Sequence, residues 1–176
     1  LRLAMLTFVR PGELRKAEWL EFDLERAEWR IPAERMKMRE MHIVPLSSQA
    51  VIVLRELHAL TGGQRWLFPN QRRPREHMSA TTLNRALERM KFNGAESRDF
   101  SAHGFRATAS TMLNELGFRP DVIERQLAHK ERNQVRRSYN HAEYLVERRE
   151  MMQAWADQVD AMASGKSNVV PLRQTA

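Results

Sequence analysis

The chain has 176 residues, a formal charge of +7 and a pI of about 10.5, and it contains no cysteine. One domain of this length buries a sizeable core, and the missing thiols exclude disulfides, thiolate zinc sites and cysteine nucleophiles together. All of its 29 basic residues except Lys16, Lys37, Lys91, Lys130 and Lys166 are arginine, which fits a polyanionic partner gripped by guanidiniums or, equally at this point, a coding bias toward Arg.

The chain opens on LRLAMLTFV without a Met. This run is too short to span a bilayer and no small-residue cleavage site follows it, so it reads as the end of a buried helix. Such a start leads us to expect a piece of a longer protein whose N-terminal part lies elsewhere. Pro11 and Gly12 in VRPGEL break the pattern, and a short helix through Glu18 is expected next. Trp19, Phe22, Trp29, Ile31, Ile43 and Val44 then give short β-favouring runs separated by charged turns. They predict two or three antiparallel strands between residues 19 and 46, with AERMKMRE (33–40) as an exposed connection before the last.

From Ser47 onward the pattern is helical. Ser47 or Ser48 is placed to cap SQAVIVLRELHAL, which stops at Gly62 and Gly63. RWLFPNQRRPREHM (65–78) is a polar, Arg-rich loop, and Ser79 is expected to cap TTLNRALERMKF. A helix over 100–117 ends at Gly117, and Pro120 suits the first turn of PDVIERQLA. The last helix is expected over 141–162, with Leu145, Met152, Trp155, Val159 and Met162 as its apolar stripe. SGKSNVVPLRQTA (164–176) reads as a tail with one short apolar patch. No Gly-rich phosphate loop follows a strand. The fold class is mainly α with a small antiparallel β-sheet, an α+β arrangement.

Side chains with chemical potential are scattered, and each has an ordinary explanation. His103 and Arg106 in HGFR share a helix face, as solvated or capping pairs also do. Arg10 stands beside a turn, Lys37 in a charged hairpin between Arg35 and Arg39, and His129 at a helix end. The only two tyrosines fall in SYNHAEY: Tyr144 is expected inside the apolar-periodic last helix, where packing explains it, whereas Tyr139 precedes that helix on a polar segment.

Taken in order, these residues form a specific series. LTFVRPGELRKAEW, ERMKMREMHIVPLS, AHGFRATASTMLNE and SYNHAEYLVERREMMQAWAD together resemble the catalytic domain of the tyrosine recombinases, the phage-integrase family. The wording is most like that of integrases from satellite prophages and genomic islands, and the resemblance covers residues 1 to about 160. It implies a catalytic domain over 1–163, with arm- and core-binding domains outside this chain. It assigns the two arginines to Arg10 and Arg106, the hairpin lysine to Lys37, the two histidine positions to His103 and His129, and the nucleophile to Tyr139. The family often has Leu-Gly-His where this chain has Leu-Ala-His at 127–129, and a threonine a few residues before the tyrosine where this chain reads QVRRSY.

The implied activity is site-specific recombination, integrating or excising a mobile element through a 3′-phosphotyrosyl intermediate, with no metal, ATP or other cofactor. The implied partners are double-stranded DNA at attachment sites, further copies of a chain that is monomeric when isolated and tetrameric on DNA, and accessory DNA-bending proteins. No membrane is involved, and the expected location is the bacterial cytoplasm at the nucleoid. Residues 164–176 are expected to dock in cis or on a neighbour. Two alternatives stay open here: a binding module of integrase descent without catalysis, and a type IB topoisomerase-like strand transferase.

Overall fold

The computed structural model describes residues 1–37, 39–92, 99–129 and 144–166. Helix α1 (Arg2–Thr7) buries Leu3, Ala4, Leu6 and Thr7 and ends at Phe8, whose φ of 37° is left-handed. Pro11 opens α2 (Pro11–Arg15) in the first turn, where its missing N–H costs nothing. The helix stops three residues short of the expected Glu18. The cause is non-local: the Leu67 amide donates to the Ala17 carbonyl (2.8 Å) and the Trp19 amide to the Arg65 carbonyl (3.0 Å). Lys16–Glu18 is thus drawn into pairing with a segment far along the chain.

Three short strands follow, β1 (Phe22–Asp23), β2 (Glu28–Ile31) and β3 (His42–Pro45), antiparallel in the order β1-β2-β3. The register sets Trp29 opposite Val44 and Ile31 opposite His42 on the core-facing side, with Arg30 outside. Trp19, expected in a strand, lies instead in a 3-10 turn (Trp19–Glu21) with its ring 4.8 Å from His58. The β2–β3 connection is not wholly exposed, as its composition suggested. A 3-10 turn (Ala33–Arg35) rotates Arg35 inward and buries Met36.

Ser47 caps α3 (Ser48–Thr61) as expected, its Oγ accepting from the Ala50 amide at 3.2 Å. Ser79 does not cap the next helix. Its hydroxyl bonds Thr82 Oγ1 (2.8 Å), and α4 (Thr82–Arg89) starts after Thr81. Helix α5 runs Gly104–Glu115, beginning later than Phe100 because the Ala102 amide is taken by Asn84 Oδ1 (2.9 Å). A Cβ at Gly104 would sit 2.8 Å from the Phe100 ring, so that close approach needs glycine. Pro120 opens α6 (Pro120–Gln126).

Helix α7 (Leu145–Ala163) organises the core, packing on α1, α3, α5, α6 and β3. Its buried face is Arg148, Met151, Met152, Trp155, Ala156 and Val159, a helical repeat that contains Met152, Trp155 and Val159 of the expected stripe. Leu145, at the start of the helix, is half-buried, and Met162, at its end, is exposed. Trp155 presents an edge to Phe8 (6.1 Å, 88°) and donates its indole N–H to the Met5 carbonyl (2.9 Å). Tyr144 is the N-cap of α7 rather than a residue within it. It packs against the core, with the Arg119 guanidinium 5.3 Å from its ring centre. Gly165, at φ 70°, closes the helix. The docking expected of the tail falls mostly on 167–176, outside the described residues. No described helix is long and apolar enough to cross a membrane.

Candidate active site

The site is built where two helices end. A helix leaves its last carbonyls without intrahelical donors and gathers partial negative charge there. Arg106, on the first turn of α5, is buried and spans two such ends. Its Nη1 donates to the Phe8 carbonyl at the end of α1, and its Nη2 to the Leu127 carbonyl at the end of α6, each at 2.7 Å. Arg10 approaches from the N-cap of α2 and donates from Nη2 to the next carbonyl, Ala128 (3.1 Å). The two guanidiniums are therefore fixed side by side by main-chain oxygens.

Glu13 sets the direction of Arg10. One carboxylate oxygen accepts the Arg10 amide and the other accepts Nη1, both at 2.9 Å. This is half of a capping box: Glu13 reaches back to the cap amide, while the Glu13 amide donates to the Arg10 carbonyl (2.8 Å) because a guanidinium offers no acceptor. His129 Nε2 lies 3.4 Å from Arg106 Nη2, and Nδ1 lies 2.8 Å from Glu124 Oε2. A guanidinium only donates, so Nε2 is the acceptor and Nδ1–H is the proton given to Glu124. Burial first, and then the neighbouring Arg10 charge, bring the Arg106 guanidinium down to about 10; Glu13 and Glu124 oppose the shift. Two cations that disfavour each other in this way are primed for an anion.

Beneath this layer lies a buried polar group. Arg148 Nε and Nη2 donate to Gln126 Oε1 (3.0 and 2.7 Å), and Nη2 also reaches the Ile43 carbonyl. His42 Nε2 lies 3.1 Å from the Gln126 carbonyl, so Nε2 carries the proton. Desolvation, then Arg148 and Arg125, hold the His42 ring down to about 3, as a neutral imidazole.

Of the six residues singled out in the sequence, the structure brings Arg10, Arg106 and His129 together. His103 is the exposed N-cap of α5, one turn ahead of Arg106. Lys37 is exposed on the β2–β3 connection. Tyr139 lies outside the described residues. Sequence reasoning missed Glu13, Glu124, Gln126 and Arg148. Only Glu13 carried a readable signal, as a glutamate at the third position of a helix opened by proline. Among the described residues no group of three or more His, Cys, Asp or Glu converges as a metal site requires.

Comparison with known proteins shows the family and the fold. The phage integrase family model matches residues 1–145. The prophage integrase IntA of Escherichia coli K12 is 48% identical over 161 residues, 92% of this chain and 38% of its own length. The integrase of Enterobacteria phage P4 is 46% identical over 174 residues, 91% of this chain and 39% of its own. The chain thus spans about two fifths of these relatives. The solved integrase from mycobacterium phage Brujita superimposes with a TM-score of 0.63 at 18% identity, covering 99% of this chain and 51% of that one. XerA recombinase gives 0.59 at 16%, covering 93% and 54%. At such identities the structures show a shared fold.

Proposed function

Because the chain belongs to the phage integrase family, we propose that it is the strand-cleaving part of a site-specific recombinase, one that cuts and rejoins attachment-site DNA through a covalent tyrosine–phosphate link. The observation that carries this reading is the pair Arg10 and Arg106, held side by side by main-chain carbonyls with His129 against them.

In the proposed reaction Tyr139 Oη attacks the scissile phosphorus. A phenol has a pKa near 10, so it gives up its proton as it attacks, and His103 is the acceptor. The new O–P bond forms as the bond to the 5′-oxygen breaks, and Lys37 supplies the proton that the departing oxygen needs. Charge accumulates on the non-bridging oxygens between Arg10 and Arg106, whose remaining N–H groups suit bidentate contact. His129, oriented by Glu124, faces the same phosphate beside Arg106. Attack by the 5′-hydroxyl of a partner strand reverses these steps and regenerates the tyrosine. Double-stranded DNA is the partner, and exchange between two duplexes calls for four copies.

The test uses the full-length protein and a nicked suicide substrate carrying the element's attachment site. An adduct that survives SDS is expected, abolished by Tyr139→Phe and kept by Tyr144→Phe. Loss only with Tyr144→Phe would move the nucleophile. Absence of any adduct would leave a DNA-binding module, and relaxation of supercoils by the monomer would favour a topoisomerase.

A further inference from the structure

Three basic residues, Arg35, Lys37 and Arg39, stand in alternation on the β2–β3 connection, and the structure gives them different surroundings. Arg39 is exposed at φ 57°, and Lys37 is exposed. Arg35 alone turns inward, its side chain 15% exposed. Its Nη1 pairs with Glu21 Oε1, and its Nη2 donates to the Glu13 carbonyl at 2.5 Å. The other Glu21 oxygen accepts the indole N–H of the buried Trp29 on β2 (2.8 Å). Glu13 is the residue whose carboxylate aims Arg10.

We infer that Arg35 is a positioning residue for strand cleavage, a brace that ties the Lys37 turn to the end of α2 carrying Arg10 and Glu13. This rests on the reading of Lys37 as the proton donor. The brace runs from β2 through Trp29 and Glu21 to Arg35, and from Arg35 to the Glu13 backbone. Lys37 lies two residues beyond it on the same connection, just after the buried Met36. Bulk stability is a poor explanation for such a group. Replacing a buried ion pair by apolar side chains of similar volume is often neutral or stabilising, whereas a planar fork joining two separate elements fixes a distance between them. A guanidinium that stays charged at every working pH is also a poor proton donor, which separates the role of Arg35 from that of Lys37.

The experiment compares two substrates in the full-length protein: ordinary attachment-site DNA, and the same DNA with sulfur replacing the bridging 5′-oxygen at the scissile position. A thiolate leaves without a proton, so a missing or misplaced acid ceases to matter. Lys37→Ala is expected to cleave ordinary DNA about 100-fold or more slowly and to recover to within about tenfold of the parent on the sulfur substrate. Arg35→Ala is expected to lose about 100-fold on ordinary DNA, the scale of a displacement near 1 Å, and to recover likewise. Glu21→Gln keeps the Trp29 bond and removes the ion pair. It is expected to show a smaller loss, about tenfold, with the same recovery, and it decides the matter should Arg35→Ala not fold. Recovery of Lys37→Ala without recovery of the Arg35 and Glu21 variants overturns the brace. So does a parent-like rate for both of those variants on ordinary DNA. Failure of Lys37→Ala itself to recover overturns the underlying assignment of the acid, and the brace with it.

Discussion

Arg106 is held where a guanidinium is least at ease, out of water and beside Arg10. The helix-end carbonyls of Phe8 and Leu127 offset part of that cost, and an anion would offset the rest. Arg106→Lys is therefore expected to slow covalent adduct formation by about 100-fold or more, on the order of 3 kcal/mol. One ammonium cannot reach both carbonyls and a phosphate. Single-turnover cleavage measures this. His42 gives a different expectation. Its ring is neutral in the folded chain, brought from 6.5 to about 3, so the unfolded chain binds more protons between those values. Stability is full above the upper value and declines as pH falls toward the lower one. Between about pH 6.5 and 5 the loss is about 2 kcal/mol from this group. Urea midpoints at the two pH values should show it, and His42→Gln should flatten the difference.

Among the elements, the turn at the end of α6 explains a departure seen in the sequence. Ala128 has φ 49° and gives its carbonyl to Arg10. A side chain is strained there by about 1 kcal/mol, and glycine is not. Ala128→Gly is expected to be neutral or to stabilise by up to about 1 kcal/mol in thermal unfolding, with cleavage unchanged because the carbonyl remains. Trp155→Ala removes the centre of α7 and should cost about 3–5 kcal/mol in the same measurement. Elements with a strong local pattern were legible in the sequence: a small antiparallel sheet of two or three strands through its aromatic and β-branched runs, α3 through Ser47, α6 through Pro120. The early end of α2 was not, because the group that competes for its backbone comes from 65–67. Nor could the charged runs AERMKMRE and VERRE disclose that Arg35 and Arg148 turn inside, since burial there is decided by distant partners such as Glu21 and Gln126. Arg10, Arg106 and His129 could be named from the ordered motifs, but their support by backbone carbonyls could not.

For the whole molecule, a charge of +7 on 176 residues sets the terms of contact with DNA. If about five phosphates are neutralised, affinity should fall about 20-fold for each doubling of salt. Titration of labelled attachment-site DNA at several salt concentrations checks the slope, and a flat response would sink the electrostatic account. The two arginines are held by oxygens of Phe8, Leu127 and Ala128 that every amino acid possesses. Selection at Ala128 can then act on a dihedral angle rather than on side-chain chemistry, favouring whichever residues accept a left-handed backbone. Proline is the extreme case, since its ring fixes φ near −65°. In a saturation scan read by adduct formation, Ala128→Pro should fall furthest, the β-branched replacements next, and Ala128→Gly not at all. The grip on the phosphate would thus be inherited as a bend in the chain.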